Sequence, residues 1–247
     1  MAISTRKKSD FVEYVSHRLI RDGSPDSPGV LQPPDYDDAV DAALEQYSKD
    51  NPLEFVKDID GEAGGLRVVA VSDLPGFDED FSGDPRIEII DNASGDVITE
   101  IDVRYWRYRR TPAGQTVELL EDSAGSGQSL RYTYKIKRVI DESDPDLTTV
   151  PDSDFYAFCN LAASKAARYL ANHYKHTREG SYMQGDVVYF RTKASEFEKA
   201  EKDHKNEYNN HMGIGKDVEA SAAVVIVNQD LSDSRGMDRF THGRRFR

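Results

Sequence analysis

The sequence is poor in cysteine and in long apolar runs, and each shortage excludes a class of protein. Cys159 is the only cysteine among 247 residues, so no disulfide can form within the chain and a disulfide-stapled secreted scaffold is excluded. The longest apolar run, residues 220–227, is too short to span a bilayer, and no apolar run of signal-peptide length follows the basic N-terminus. We therefore expect a soluble protein that is made in a reducing cytoplasm and has no membrane partner.

Apolar residues and positive charge are also scarce. Apolar residues make up 38% of the chain and the mean hydropathy is -0.68, which predicts a lean core. The 45 acidic residues outnumber the 32 basic ones, which gives a net charge of -13. A general nucleic-acid binder needs clustered Lys and Arg to neutralise phosphates, so this function is disfavoured. An acidic wall repels phosphates, which suits a channel that double-stranded DNA passes through without specific binding.

Helical periodicity appears at both ends of the chain. It predicts two early helices, over 9–21 and from about Asp35 to Asn51, and two long later helices, from about Asp152 and over 190–211. The apolar stripe of the third predicted helix is Phe155, Phe158, Ala162, Ala166, Tyr169, Leu170 and His173. The narrower stripe of the fourth is Ala194, Phe197, Glu201, His204 and Tyr208.

Between these helices the pattern changes to short strands separated by glycine- and aspartate-rich turns. Strand candidates are 66–71, 86–90, 98–109 and 130–137, and in the last of these Leu130, Tyr132, Tyr134 and Ile136 alternate with polar residues. We therefore predict an α+β fold. Residues 9–52 and 140–213 form a helical bundle of about four helices, residues 53–139 an inserted small antiparallel β domain, and residues 214–247 an extended C-terminal arm.

Three histidines are candidate metal ligands. His173 and His176 lie three residues apart on the third predicted helix, and His204 lies on the stripe of the fourth. Three imidazoles can bind zinc, but no fourth Cys, Asp or Glu ligand has a recognisable spacing. We favour the alternative, in which His173 and His204 are partly buried packing residues and His176 caps a helix C-terminus, and we predict no metal site.

Candidates for catalysis are weak. Cys159 lies in an alanine-rich helix rather than beside an activating base, and Ser126 lacks the Gly-x-Ser-x-Gly spacing of a nucleophile elbow. The acidic run 78–80 lacks the alternating ligands of a calcium loop, so a solvated loop is favoured, although a hydrolase that uses such carboxylates stays the alternative. We predict no catalytic residue, no cofactor and no enzymatic activity.

Residues 104–110 interleave arginines with aromatic residues. This combination suits single-stranded nucleic acid, but pairing of the arginines with the chain's own abundant carboxylates is favoured by the overall charge. A third interpretation is a contact between subunits through Arg104, Trp106 and Arg107, because Arg and Trp are enriched at interface hot spots.

The region from Leu130 to Gly213 carries a family resemblance. It contains a strand, then Thr148-Thr149-Val150-Pro151-Asp152, then the alanine-rich helix, then residues 185–190 and a charged helix. This arrangement resembles the head-tail adaptor, or connector, proteins of tailed bacteriophages. The resemblance implies a bundle of early helices packed on two long later ones. It also implies a ring of about a dozen copies docked on the portal protein, in the virion neck between capsid and tail.

The resemblance implies a non-enzymatic structural function. The chain would extend the DNA channel from the portal towards a tail, tail-terminator or neck protein, after synthesis in the cytoplasm of a host bacterium. The β region is larger than in the simplest family members, which leaves two alternatives: a tail-completion or neck protein, or a virion module that binds a tail or decoration protein.

The C-terminal residues predict a docking arm. An apolar, β-prone run is followed by a basic end, a combination that suits strand addition to a portal or a neighbouring subunit. The predicted docking residues are Val224, Val225, Ile226, Val227, Arg235, Arg239, Phe240, Arg244, Arg245, Phe246 and Arg247.

Overall fold

A computed structural model describes residues 4–20, 29–112, 114–176 and 184–214, with the backbone alone for residues 111 and 184–192. The fold is α+β, as predicted, with five α-helices and two antiparallel sheets in the described part. The helices are α1 (Lys8–Tyr14), α2 (Pro33–Asp50), α3 (Glu79–Ser82), α4 (Phe155–His176) and α5 (Gln184–Met212). The strands are β1 (Leu53–Asp60), β2 (Val68–Ala70), β3 (Arg86–Asp91), β4 (Val97–Ile101), β5 (Trp106–Thr111), β6 (Gly114–Leu119) and β7 (Gln128–Ile136).

Helix α4 lies at the centre of the helical core. It packs against α5 and α2, and the buried Ala163 and Ala167 allow the neighbouring backbones to approach closely. The ring of Phe11 from α1 packs on those of Phe155 and Phe158, with centroids 5.0 and 5.2 Å apart. Burial of these side chains is the main source of stability for helices that are individually short or polar.

The strands form a four-stranded sheet, in the order β1-β7-β3-β4, and a three-stranded sheet, in the order β2-β6-β5. Leu130, Tyr132 and Tyr134 of β7 are buried in the core of this region, which confirms the alternation predicted for that strand. Strand β7 pairs with both β1 and β3, so it holds the larger sheet together.

The outer face of the four-stranded sheet carries a charged ladder. Arg131 donates two hydrogen bonds to Asp58, both 2.9 Å long, and Arg86 approaches Glu88 at 2.6 Å and Glu100 at 3.2 Å. A slip of one residue would turn these charges towards the core and the apolar residues towards water. The ladder therefore supports the observed register.

Several element predictions were wrong in detail. Residues 98–109 form two strands in different sheets, because the side chain of Asp102 accepts from the backbone N–H of Arg104 and starts a 3₁₀ turn, Val103–Tyr105. Strands β1 and β6 were not individually predicted. The first helix is shorter than predicted and continues as a π-helical turn, Val15–Leu19. Helix α5 begins at Gln184, ahead of the start predicted at residue 190.

The predicted stripe of α4 was partly wrong. Phe155, Phe158 and Leu170 are buried, but Tyr169 and His173 are exposed. The buried face passes through Leu170 and Tyr174 instead, because a residue next to Leu170 points about 100° away from it on a helix. The stripe predicted for α5 is confirmed, with Ala194 and Tyr208 buried at its two ends.

Candidate interaction surfaces

Four arginines on or beside β5 each lie near a carboxylate. Arg107 pairs with Glu118 at 2.8 Å, and Arg109 approaches the same carboxylate at 3.6 Å. The other two pairs are Arg104 with Asp102, at 3.0 Å, and Arg110 with Glu79, at 3.1 Å. These pairs confirm the expectation that the arginines meet the chain's own carboxylates.

Glu118 pairs with two arginines, so positive charge exceeds negative charge at this position. Two guanidinium groups, of Arg107 and Arg109, share this one carboxylate, so the three groups together carry one net positive charge. The alternation of β5 points Trp106 and Tyr108 towards the core and places these two arginines on the outer face. In a chain with a net charge of -13, an exposed positive group of this kind is a local exception.

Exposed apolar residues lie beside these arginines. Val103 and Tyr105 come directly before β5, and Leu120 is joined to Tyr105 by a backbone hydrogen bond of 2.8 Å. All three are large and exposed. We call Val103, Tyr105, Arg107, Arg109 and Leu120 the β5 patch. Aromatic and arginine side chains beside apolar ones form the composition that is typical of protein interfaces.

The three residues predicted as inter-subunit contacts have different surroundings. Arg104 and Arg107 are exposed and paired, whereas Trp106 is buried in the core of the β region, where its ring meets that of Tyr108 edge-on at 5.1 Å. The indole of Trp106 is therefore not presented to a neighbour. The inter-subunit contact itself stays a prediction.

Helix α2 has an acidic exposed stripe. Asp38, Asp41, Ala42 and Glu45 are exposed at helical spacing, opposite the buried face of the helix. Burial by itself lowers the pKa of Lys8, but the hydrogen bond and field of Asp41, with the fields of Asp37 and Glu142, raise it above its ordinary value. The raised pKa reports a negative potential at this surface. We call Asp38, Asp41, Ala42 and Glu45 the α2 stripe.

Strand β4 is an edge of the four-stranded sheet. Four of its five residues are exposed, including Val97 and Ile98 with 49% and 51% of their surface accessible. Within the described residues it pairs with β3 alone. An open edge with branched apolar side chains is a template for strand addition, which natural proteins usually block.

A polar cluster around Asp154 joins the ends of three helices. Its carboxylate accepts from the hydroxyl of Tyr47 at 2.5 Å and from Asn51 at 3.3 Å, and lies 3.1 Å from Nε2 of His211. Burial by itself raises the pKa of Asp154, but the hydrogen bonds from Tyr47, His211 and Ser153 outweigh it and hold that pKa below its usual range. Sequence reasoning missed this cluster, because its members lie far apart in the chain and share no motif.

The candidate metal ligands are not gathered into one site. His173 and His176 lie on the exposed face of α4, with Tyr169 and Asn172, around an open groove of about 470 Å³. His204 is half-buried, with Nδ1 2.8 Å from Oδ1 of Asn160. Among the described residues, no group of three His, Cys, Asp or Glu side chains is placed to hold a metal ion. His173 is therefore not the packing residue that the sequence predicted.

The other residues considered for catalysis or metal binding, Cys159 and the acidic run 78–80, lie in or next to helices of the fold. Burial raises the pKa of the Cys159 thiol well above its ordinary range. Asp78 caps the short helix α3 and contacts Lys137 at 3.3 Å, while Glu79 accepts from Arg110 and Gln115. The acidic run thus starts a short helix rather than forming the loop that was favoured, and its side chains remain partly or largely exposed to solvent.

Most of the predicted docking arm, including its eleven predicted docking residues, lies outside the described residues. None of the helices in the described ranges is long and apolar enough to cross a bilayer.

No protein-family model matches the chain, and no curated protein matches it.

Proposed function

We propose that this chain is a structural subunit of a tailed phage: a head-tail adaptor that forms a ring of about a dozen copies, docks on the portal protein and extends the DNA channel towards the tail. The observation that carries the proposal is the helical core. Helices α1 and α2 pack on α4, and α4 packs on α5, which is the combination of two early and two long later helices that the resemblance implies.

The surfaces of the subunit support an assembling role. Both hydrophobic cores contain large, fully buried side chains, yet the β5 patch and the edge of β4 leave large apolar side chains in water. Contiguous exposed apolar residues on a soluble protein mark sites of association. The net charge of -13 suits a channel wall along which DNA slides.

The mass of the purified chain, measured by mass photometry over a concentration series, tests the ring. We expect a closed species of about a dozen copies with a central hole in negative-stain images, either alone or after addition of the portal protein of the same phage. A chain that stays monomeric under both conditions contradicts the proposal.

The arm has its own test. A chain truncated after Gly213 retains every described helix and strand, so we expect it to fold. We also expect it to lose binding to the portal protein, because the apolar and basic residues after position 213 supply the docking contacts. If the truncated chain keeps its circular dichroism spectrum and still binds the portal protein as well as the parent does, the C-terminal arm is not the docking segment.

The edge of β4 favours a second candidate, a virion module that binds a tail or decoration protein by strand addition. The substitution Ile98→Lys blocks such an edge, whereas Val68→Lys alters the similarly exposed edge strand β2. If Ile98→Lys abolishes capture of a tail protein while the truncated chain still captures it, the module is favoured over the adaptor.

A further inference from the structure

We infer that the α2 stripe of one copy binds the β5 patch of the next copy in the ring; this inference rests on the proposed ring and names the two surfaces that would close it. The two surfaces are different parts of the same subunit. A contact between unlike surfaces is head-to-tail, and it generates a ring when the rotation between neighbours closes. The occupant of the β5 patch is therefore a second copy of this chain.

Charge complementarity carries the inference. Two copies that each carry a net charge of -13 repel one another, so a stable contact between them needs opposite local charges. The β5 patch supplies the positive charge that Arg107 and Arg109 retain after sharing Glu118. The α2 stripe supplies acidic groups, and Asp38 has no ion pair among the described contacts.

The partners of the other two acids leave negative charge on the α2 stripe. Asp41 is paired with Lys8 at 2.8 Å, and Glu45 with the exposed Lys49 at 3.2 Å. Helix α2 carries six acidic residues and one lysine, so these pairs do not neutralise it. An approaching guanidinium group meets a net negative helix along the whole stripe.

The two surfaces also differ in the size of their side chains. Ala42 is the small residue between the acids of the α2 stripe, and it leaves space for a large side chain to approach the helix backbone. Tyr105 and Leu120 are the large exposed side chains beside the arginines. Tyr and Arg are enriched among the residues that dominate the binding energy of an interface.

Two charge-inverted variants test the contact. Variant A carries Asp38→Lys and Glu45→Lys, which make the α2 stripe basic. Variant B carries Arg107→Glu, Arg109→Glu and Glu118→Arg, which invert the charge of the β5 patch. The two new glutamates can still share the new arginine, just as the two arginines share Glu118 in the parent chain. Each variant alone presents two surfaces of the same sign, so we expect its assembly to need at least about tenfold more protein than the parent.

A mixture of the two variants gives the decisive result. The acidic stripe of B meets the unchanged patch of A, and the basic stripe of A meets the inverted patch of B. We therefore expect the equimolar mixture to assemble at the parent concentration, with A and B alternating. The matched control carries Glu13→Lys and Glu196→Lys, at exposed acids on α1 and α5, and we expect it to assemble like the parent.

The outcomes separate the inference from the proposed function. If A alone and B alone both form rings of normal stability, the inferred contact is wrong and the proposed ring still stands. A parent chain that forms no ring with or without portal protein overturns the ring. If the parent chain forms no ring and the mixture of A and B also forms no heterodimer, the inferred contact is overturned as well. Loss of assembly in the control shows a dependence on net charge alone and also overturns the contact.

Discussion

At the scale of single residues, the carboxylate of Asp154 connects several polar side chains of the helical region. It accepts hydrogen bonds from Tyr47 and Asn51 and contacts His211, so three separate parts of the chain depend on one carboxylate. We expect Asp154→Asn to lower the free energy of unfolding by about 2 kcal/mol at neutral pH, because hydrogen bonds to a charged group are replaced by weaker ones. Urea denaturation measures the loss, and Asp146→Asn, at an exposed aspartate, is the control.

The pH dependence of this loss follows from the sign of the pKa shift. The pKa of Asp154 is lower in the folded chain than the unfolded value of about 3.9, so its contribution is complete above that value and is lost as the pH falls through the folded pKa. The difference between parent and Asp154→Asn should therefore shrink below about pH 4. A difference that stays constant down to pH 2.5 contradicts the role given to the ionised carboxylate.

The thiol of Cys159 is fully buried, and burial raises its pKa. The thiolate is the reactive form, so we expect no labelling by a thiol reagent at pH 8 while the chain is folded, and rapid labelling in urea. A Val97→Cys variant, with its new thiol on the exposed edge of β4, should label at once and serves as the positive control. Rapid labelling of native Cys159 would show that α4 opens far more readily than its packing indicates.

At the scale of elements, the close contact of α4 with its neighbours depends on alanines. Ala167 is fully buried, so Ala167→Leu forces extra methylene groups into a filled interface and should cost about 1 to 3 kcal/mol of stability. Arg168→Leu places the same side chain on the exposed face of the same helix and should cost much less. Equal thermal midpoints for the two variants would contradict the packing.

Elements with a regular apolar period were predictable from the sequence, and those without one were not. β7 and the stripe of α5 follow their periods closely, and both were predicted. β1 was not individually predicted because Lys57 occupies the inward position between Phe55 and Ile59. The break between β4 and β5 was missed because a single side chain, that of Asp102, starts the turn there. The Asp154 cluster depends on tertiary structure alone, which no local pattern contains.

At the scale of the molecule, the helical and β regions have separate hydrophobic clusters, and Arg138 follows β7 of the β region closely in the chain. It donates to the backbone carbonyls of Asn51 and Thr149, and its own N–H donates to Ser48 at 3.0 Å. We expect the parent to unfold in one calorimetric transition and Arg138→Met to unfold in two, because the link between the clusters is lost. Lys137→Met, at the exposed neighbour, is the control, and a single transition in Arg138→Met contradicts the linkage.

The pairing of early with late segments also has a consequence for synthesis on the ribosome. β1 begins at Leu53 but pairs with β7, which ends at Ile136, and α1 and α2 pack on α4, which begins only at Phe155. Neither hydrophobic core can therefore form before most of the chain has left the ribosome. Until then, apolar side chains that are buried in the folded chain, such as Phe11 and Tyr47, are exposed in the nascent polypeptide. Expression should accordingly be sensitive to the supply of chaperones that shield such faces during translation.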